Sequence, residues 1–150
     1  MRRKRKPGFF REHSLTLIAV AVLSLWIVLY RAGDPKTHAG SFFGNAIADW
    51  SGVVVTVLAT KYFYERDSAE SKRPPRKRVS KIPGWVFDHS LTIVLVVTGV
   101  GWLVAYLRTD PESKWGQVVG NVLSEWVQLI GVVLLTKRFF EVGSAESKGK

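Results

Sequence analysis

The sequence predicts an all-α membrane protein in which four transmembrane helices form two parallel, like-oriented tandem hairpins. Three observations carry this expectation. Four long apolar stretches alternate with dense basic ones, lysine and arginine are divided unevenly between the two sets of loops, and residues 12–72 recur without a gap as residues 88–148. Composition points the same way once it is read segment by segment, because a modest average hydropathy conceals stretches of opposite character.

The elements follow in order. Residues 1–12 are a basic arm dominated by Arg2-Arg3-Lys4-Arg5-Lys6. The first hairpin occupies 13–65. Its first span, residues 14–30, runs for 17 residues without a formal charge, enough to cross a hydrocarbon core about 30 Å thick. Asp34-Pro35 then marks the outer turn, since proline cannot continue a helix and restrains the residue before it. The second span, 41–60, is interrupted by a single acid, Asp49. Residues 66–84, with Pro74-Pro75 and many charges, lack an apolar face and read as a solvated tether. The second hairpin, 85–142, holds an 18-residue uncharged span at 90–107, a turn at Asp110-Pro111 and a span at 115–136 with one acid, Glu125. Residues 143–150 form a polar tail. Trp26, Tyr30, Trp102, Tyr106 and Trp115 fall near the outer interface and Trp85 near the inner one, as belt anchors. A water-soluble bundle would repeat a charged face every 3.6 residues, and these spans are apolar nearly all round.

The formal charge of +10 invites a nucleic-acid reading, but its placement argues for topology. The arm, residues 61–81 and the stretch from Lys137 onward together hold 18 basic residues, whereas the loops between paired spans hold 4: Arg31, Lys36, Arg108 and Lys114. By the positive-inside rule the arm, tether and tail are cytoplasmic. No nucleic-acid partner is expected. Anionic lipid headgroups would attract the same residues, at about 1 kcal/mol for each one near the surface. A basic stretch before an apolar run also resembles a signal peptide, a reading that the recurrence of the segment argues against. Without cysteine there are no disulfides, thiolate metal sites or cysteine nucleophiles.

Of the 61 pairs in the repeat, 25 are identical. His13-Ser14-Leu15-Thr16 matches His89-Ser90-Leu91-Thr92, Gly44-Asn45 matches Gly120-Asn121, and Asp49-Trp50 matches Glu125-Trp126. Thr60-Lys61 matches Thr136-Lys137, and Ser68-Ala69-Glu70-Ser71-Lys72 matches residues 144–148. A hairpin crosses the membrane an even number of times, so both copies enter from the same side. Parallel repeats of this kind are related by an axis along the membrane normal, with equivalent residues at equal depth.

Leu123-Ser124-Glu125-Trp126-Val127-Gln128, then Thr136, then Gly143-Ser144-Ala145-Glu146-Ser147-Lys148, together with His89-Ser90-Leu91 at the head of the second hairpin, resemble a family of uncharacterised bacterial tandem-hairpin membrane proteins that end in a Gly-Ser-Ala-Glu-Ser-Lys-like motif. In the first hairpin Ala48-Asp49-Trp50-Ser51-Gly52 stands at the corresponding place. The resemblance implies a bacterial cell (inner) membrane and carries no activity or functional residue with it.

Chemistry is concentrated in the even-numbered spans. An acid near the centre of a transmembrane helix costs roughly 2.5–3.5 kcal/mol on insertion scales, so Asp49 and Glu125 must be compensated. Asn45, Asp49, Gly52 and Thr56 share one helix face, and Asn121, Glu125 and Gln128 repeat the stripe. The stripes, just on the outer side of the helix centres, are expected at one depth. One reading makes Asp49 and Glu125 coordinating or proton-exchanging groups of a cation or proton path, with Asn45, Asn121 and Gln128 as supporting ligands. The other makes them interhelical clasps, worth about 0.6–2 kcal/mol per polar contact. His13 and His89 sit at the cytoplasmic mouth, each after an acid; a metal or proton-relay site would need the repeat axis to bring them together and a third ligand that the sequence does not define, and interfacial capping and headgroup contact is the expected role. Lys61 and Lys137 suit helix C-termini and can snorkel. Gly44, Gly52, Gly99, Gly101, Gly120 and Gly131 permit close helix approach.

No catalytic triad spacing, phosphate loop, HExxH or nucleotide fingerprint occurs, so no enzymatic activity and no cofactor are expected. The functional expectation is a non-catalytic structural or accessory membrane component, with a small proton or cation channel or carrier as the alternative. The expected partners are the lipid bilayer and either a second copy of the chain or a larger membrane complex.

Overall fold

The computed structural model describes residues 9–71, 83–139 and 144. Among them the helices are α1 (Phe9–Glu12), α2 (Ser14–Ala32), α3 (His38–Tyr62), α4 (Gly84–Asp88), α5 (Ser90–Arg108) and α6 (Lys114–Arg138), and no strand occurs among the described residues. Four of these, α2, α3, α5 and α6, are long and apolar enough to cross a membrane. At 1.5 Å per residue the 19-residue α2 and α5 extend about 28 Å and the 25-residue α3 and α6 about 37 Å, against a hydrocarbon core of about 30 Å.

The helix α2 packs on α3 and α5 on α6, and the two hairpins meet along α3 and α6. Burial follows this order: a third of the apolar window of α3 is buried, 33%, against 11% for α2, which marks α3 as central and α2 as peripheral. The core runs along the α3–α6 seam through Ile47, Ala48, Val118, Val122 and Trp126, with Tyr30 from α2. Ala59, Leu91, Leu95 and Val133 continue it toward the basic end. The peripheral helices turn Leu17, Ile18, Val28, Val97, Leu103 and Leu107 outward. Such a continuous apolar surface is costly in water and is satisfied by lipid chains.

Both Asp-Pro turns fold in one way. Asp34 Oδ1 accepts from the Lys36 N–H at 2.9 Å, while the Thr37 hydroxyl donates to the Asp34 carbonyl at 2.8 Å and accepts from the Gly40 N–H at 3.1 Å, capping α3. Asp110, Glu112, Ser113 and Gly116 repeat these bonds at 2.9, 2.6 and 3.0 Å and cap α6. The glycines let each helix press against its own turn. A Cβ at position 40 would overlap the Asp34 carbonyl oxygen and stand 2.7 Å from its carbon; at 116 it would overlap the Asp110 carbonyl oxygen in the same way.

Several expectations change. Tyr30 is no belt anchor: it is 1% exposed, its ring lies on Gly44 and edge-on to Trp115, and its hydroxyl donates to the Lys114 carbonyl. Lys114 in turn donates to the Gly33 carbonyl at 2.6 Å, closing the end of α2. Tyr106 also lies on its glycine, Gly120, yet is 40% exposed. Lys114 and Trp115, which cover Tyr30, correspond to His38 and Ala39 in the first hairpin, with less side chain to cover a ring. Gly44, Gly52, Gly99 and Gly120 do face close neighbours, but Gly101 and Gly131 have nothing within 4 Å of a Cβ. Finally, residues 66–71 do not run free in solvent. Ser68 and Ser71 are buried, because the segment folds onto the second hairpin; residues 72–82 lie outside the described residues.

Candidate functional site

The polar stripes of α3 and α6 run along the seam between the hairpins. Asn121 Nδ2 donates to Asn45 Oδ1 at 2.6 Å, joining two residues 76 positions apart, the repeat offset itself. One turn further on, Glu125 lies against Gly52, where a Cβ would stand 3.1 Å from Glu125 Oε2; the missing side chain at 52 makes room for the carboxylate. Asp49 and Glu125 each sit one residue from the midpoint of a 25-residue helix. They are within Coulombic reach of each other, but Asp49 is exposed on the side of the bundle, as is Gln128. Gln128 and Thr56 line a cavity of about 100 Å³ together with Glu70 and Leu91. Along the stripe, Asn45 and Asn121 bond to each other at its exposed edge, Glu125 packs half-buried on Gly52, and Asp49 and Gln128 are exposed.

A second polar centre lies at the basic end, around a residue that sequence reading passed over. Glu65, just beyond α3, is fully buried. Its Oε1 accepts from Lys137 Nζ and pairs with His89 Nδ1, each at 2.7 Å, and its Oε2 accepts from the Thr92 N–H at 3.1 Å. The Leu91 N–H is taken by the Tyr64 carbonyl at 3.0 Å. Two of the N–H groups that α5 leaves without an intrahelical acceptor are therefore satisfied by the first hairpin, and a carboxylate stands where the helix dipole favours one. Burial alone would push the Glu65 carboxyl up; the bonds from His89, Lys137 and Thr92 outweigh it and hold the group below its ordinary value.

The segment after Glu65 completes the dock. The Arg66 N–H donates to the Asp88 carbonyl at 2.7 Å, and the Arg66 guanidinium lies 3.6 Å from the Asp88 carboxylate. The Ser71 hydroxyl accepts from the Glu65 N–H at 2.8 Å, while Ser68 Oγ and the Ala69 N–H meet the Thr136 hydroxyl at 3.0 and 3.3 Å. Asp67, at φ 64°, turns the chain within this loop. No family model, curated protein or solved structure matches the chain.

The predicted histidines divide between two places. His89 belongs to the Glu65 cluster, and His13 Nδ1 stands 3.1 Å from Lys61 Nζ. Among the described residues no group of three or more histidine, aspartate or glutamate side chains converges on a metal position. The Glu65 cluster can hold a charge and tie two hairpins together. Its signal in the sequence is the identity of Glu65 with Glu141 within the repeat, next to the shared Ser-Ala-Glu-Ser run.

Proposed function

We propose that the chain is a non-catalytic, multi-pass component of a bacterial inner membrane that assembles with further helices through the open side of the α3–α6 seam. In this reading the two hairpins are oriented alike and the arm, tether and tail are cytoplasmic. The Asn45–Asn121 bond supports like orientation, since residues at equal places in the repeat meet, and the distribution of basic residues supports the cytoplasmic assignment. The bacterial membrane rests on the family resemblance.

The observation that carries the proposal is the exposure of Asp49 at the midpoint of a spanning helix beside a polar contact that is already closed. The amide groups of Asn45 and Asn121 are spent on helix–helix contact and Glu125 packs on Gly52, which supports the clasp reading of the stripe. Asp49 and Gln128 are left facing outward, where an acid costs roughly 2.5–3.5 kcal/mol unless another polar surface covers it. A second copy or a partner helix with a complementary donor supplies that cover. The wild-type protein in mild detergent is expected to run as an oligomer or with a co-purifying partner, and Asp49→Leu with Gln128→Leu to release a folded monomer. A wild-type monomer without a partner would count against assembly.

One observation favours the channel alternative: Asp49 and Glu125 each sit one residue from the midpoint of their helices, which pack on one another. A proton or cation flux into liposomes that disappears with Asp49→Asn and Glu125→Gln would support it over the clasp.

A further inference from the structure

The two hairpins carry the same group of residues at their basic ends, in two different settings. In the second hairpin Lys137, His89 and the Thr92 N–H hold the Glu65 carboxylate, and Leu91 beside it is 1% exposed. The counterparts 76 residues earlier are Lys61, His13, Thr16 and Leu15. Here Leu15 is 63% exposed, and Leu15, Thr16 and Lys61 line a cleft of about 570 Å³ bounded by α2, α3 and Phe87 of α4. Lys61 Nζ lies 3.1 Å from His13 Nδ1. His13 makes no side-chain capping bond at the start of α2, and the Leu15 and Thr16 N–H groups of that first turn have no acceptor within the helix. An ammonium, an imidazole and a helix N-terminus are thus gathered as they are around Glu65, where they hold an anion.

The rest of the lining narrows the ligand. Lys61 lies in the last turn of α3 and His13 at the N-cap of α2, so the basic pair stands where two spanning helices end, at the level of lipid phosphates. Leu15, Val57 and Phe63 add apolar wall, and the cleft is far larger than a carboxylate requires. Glu12 lines it as well, with Tyr62 and Tyr64. An acid and aromatic rings disfavour a ligand of purely negative charge, but they accept an ammonium through ion pairing and cation–π contact. The Tyr62 ring already lies 5.4 Å from Lys61 Nζ.

We propose that this cleft binds one zwitterionic aminophospholipid. Its phosphodiester takes Lys61, steadied by His13, and the N-terminus of α2; its ammonium takes Glu12; its chains lie along Leu15 and Val57. The assignment needs only that α2 and α3 cross a membrane, and it is independent of assembly through the α3–α6 seam and of which side is cytoplasmic.

Native mass spectrometry of the full chain in lipid-free detergent, titrated with dioleoylphosphatidylethanolamine or dioleoylphosphatidylglycerol, reads the site. One phosphatidylethanolamine is expected to stay bound, about fivefold more tightly than phosphatidylglycerol. Lys61→Gln should weaken both lipids at least about tenfold, while Lys61→Arg, which keeps the charge, should stay within about threefold of wild type. Glu12→Gln should abolish the preference between the lipids. Arg11→Gln, exposed at the same end, should change either affinity by less than about twofold. Equal losses with Arg11→Gln and Lys61→Gln would mean diffuse attraction to a basic surface and would overturn the site. So would tighter binding of phosphatidylglycerol, or retention of neither lipid. Glycerophosphoethanolamine, the same headgroup without chains, should fail to displace the lipid at about a hundredfold excess, because the chains supply much of the affinity. Displacement would give the cleft to a soluble phosphodiester instead.

Discussion

Replacing Glu65 by glutamine removes one charge and almost no volume, which makes it the sharpest probe of the basic end. The carboxylate is 0% exposed and serves three donors, Lys137, His89 and the Thr92 N–H. A hydrogen bond to a charged group contributes about 1.5–3 kcal/mol, against about 0.5–1.5 for a neutral one. Lys137 is 23% exposed, so its bond counts near the middle of that range, while His89 is 41% exposed and solvent screening brings its share below about 1 kcal/mol. Glutamine keeps one acceptor oxygen and turns an NH2 toward groups that are themselves donors. The expected loss is about 2–4 kcal/mol, compared with under about 0.5 kcal/mol for Glu12→Gln, whose carboxylate is exposed. Reversible unfolding in mixed micelles, followed by tryptophan fluorescence and helical dichroism, measures both. A loss below about 0.5 kcal/mol for Glu65→Gln would mean that water serves Lys137 and His89 as well as the acid does, and the argument for a buried anchor would fail.

The same carboxyl sets a pH dependence. Its folded value lies below the usual 4.5, because three bonds outweigh burial. Between the two values the unfolded chain binds more protons than the folded one, so stability rises with pH there. Glu65 therefore contributes fully above about pH 4.5, and its contribution is lost as the pH falls through the lower, folded value. The stability gap between wild type and Glu65→Gln should be flat from neutrality to about pH 5 and close below it. A gap that instead closed toward alkaline pH would show that the sign is wrong.

Three further outcomes test other parts of the fold. Gly40→Ala and Gly116→Ala should each destabilise by roughly 2–4 kcal/mol in the same unfolding assay, because the Asp-Pro turns must shift, whereas Gly101→Ala and Gly131→Ala, with open space around them, should gain about 0.5–1 kcal/mol of helix propensity. A double-mutant cycle on Asn45→Ala and Asn121→Ala should give a coupling of about 0.6–1.7 kcal/mol, and a coupling near zero would remove the clasp at the seam. Tyr30→Phe should cost about 1 kcal/mol and Tyr106→Phe under about 0.3, since only the first hydroxyl meets the Lys114 carbonyl; equal costs would contradict the asymmetry between hairpins.

Span boundaries are legible to within three residues because formal charge ends every apolar run on its C-terminal side: residues 14–30 became Ser14–Ala32 and residues 115–136 became Lys114–Arg138. The turns are legible because proline and aspartate act locally. Gly40 and Gly116 escaped notice for the complementary reason that their role depends on a carbonyl six residues back, which no helical periodicity marks. Periodicity likewise places Asn45 and Asp49 on one face but says nothing of which part of that face meets α6 and which stays open. The bulk at Lys114 and Trp115, against His38 and Ala39, decides that Tyr30 is buried, and this is a difference between copies where the reading relied on their likeness.

Glu65 was hidden most completely. Flanked by Tyr64, Arg66 and Asp67 it has the local composition of an exposed loop, and the partners that bury it lie 24 and 72 residues away in sequence. Its placement follows a physical division between the middle of the bundle and its end. In the hydrocarbon region an ionised carboxylate finds neither water nor a helix terminus, so contact there is made by amides such as Asn45 and Asn121, which carry no charge to desolvate. At the ends of α5 and α6 the situation reverses: free N–H groups, an ammonium and an imidazole together offset the desolvation of one carboxylate, and their geometry admits no neutral substitute of equal strength. Charged residues in such a protein therefore tie the hairpins together only where the helices end. It follows that the register of one hairpin against the other is set at three levels, by the Tyr30–Lys114–Gly33 bonds at the turns, by an uncharged pair at the seam and by a charged cluster at the opposite end, and that breaking any one alone should loosen the bundle without unfolding its helices.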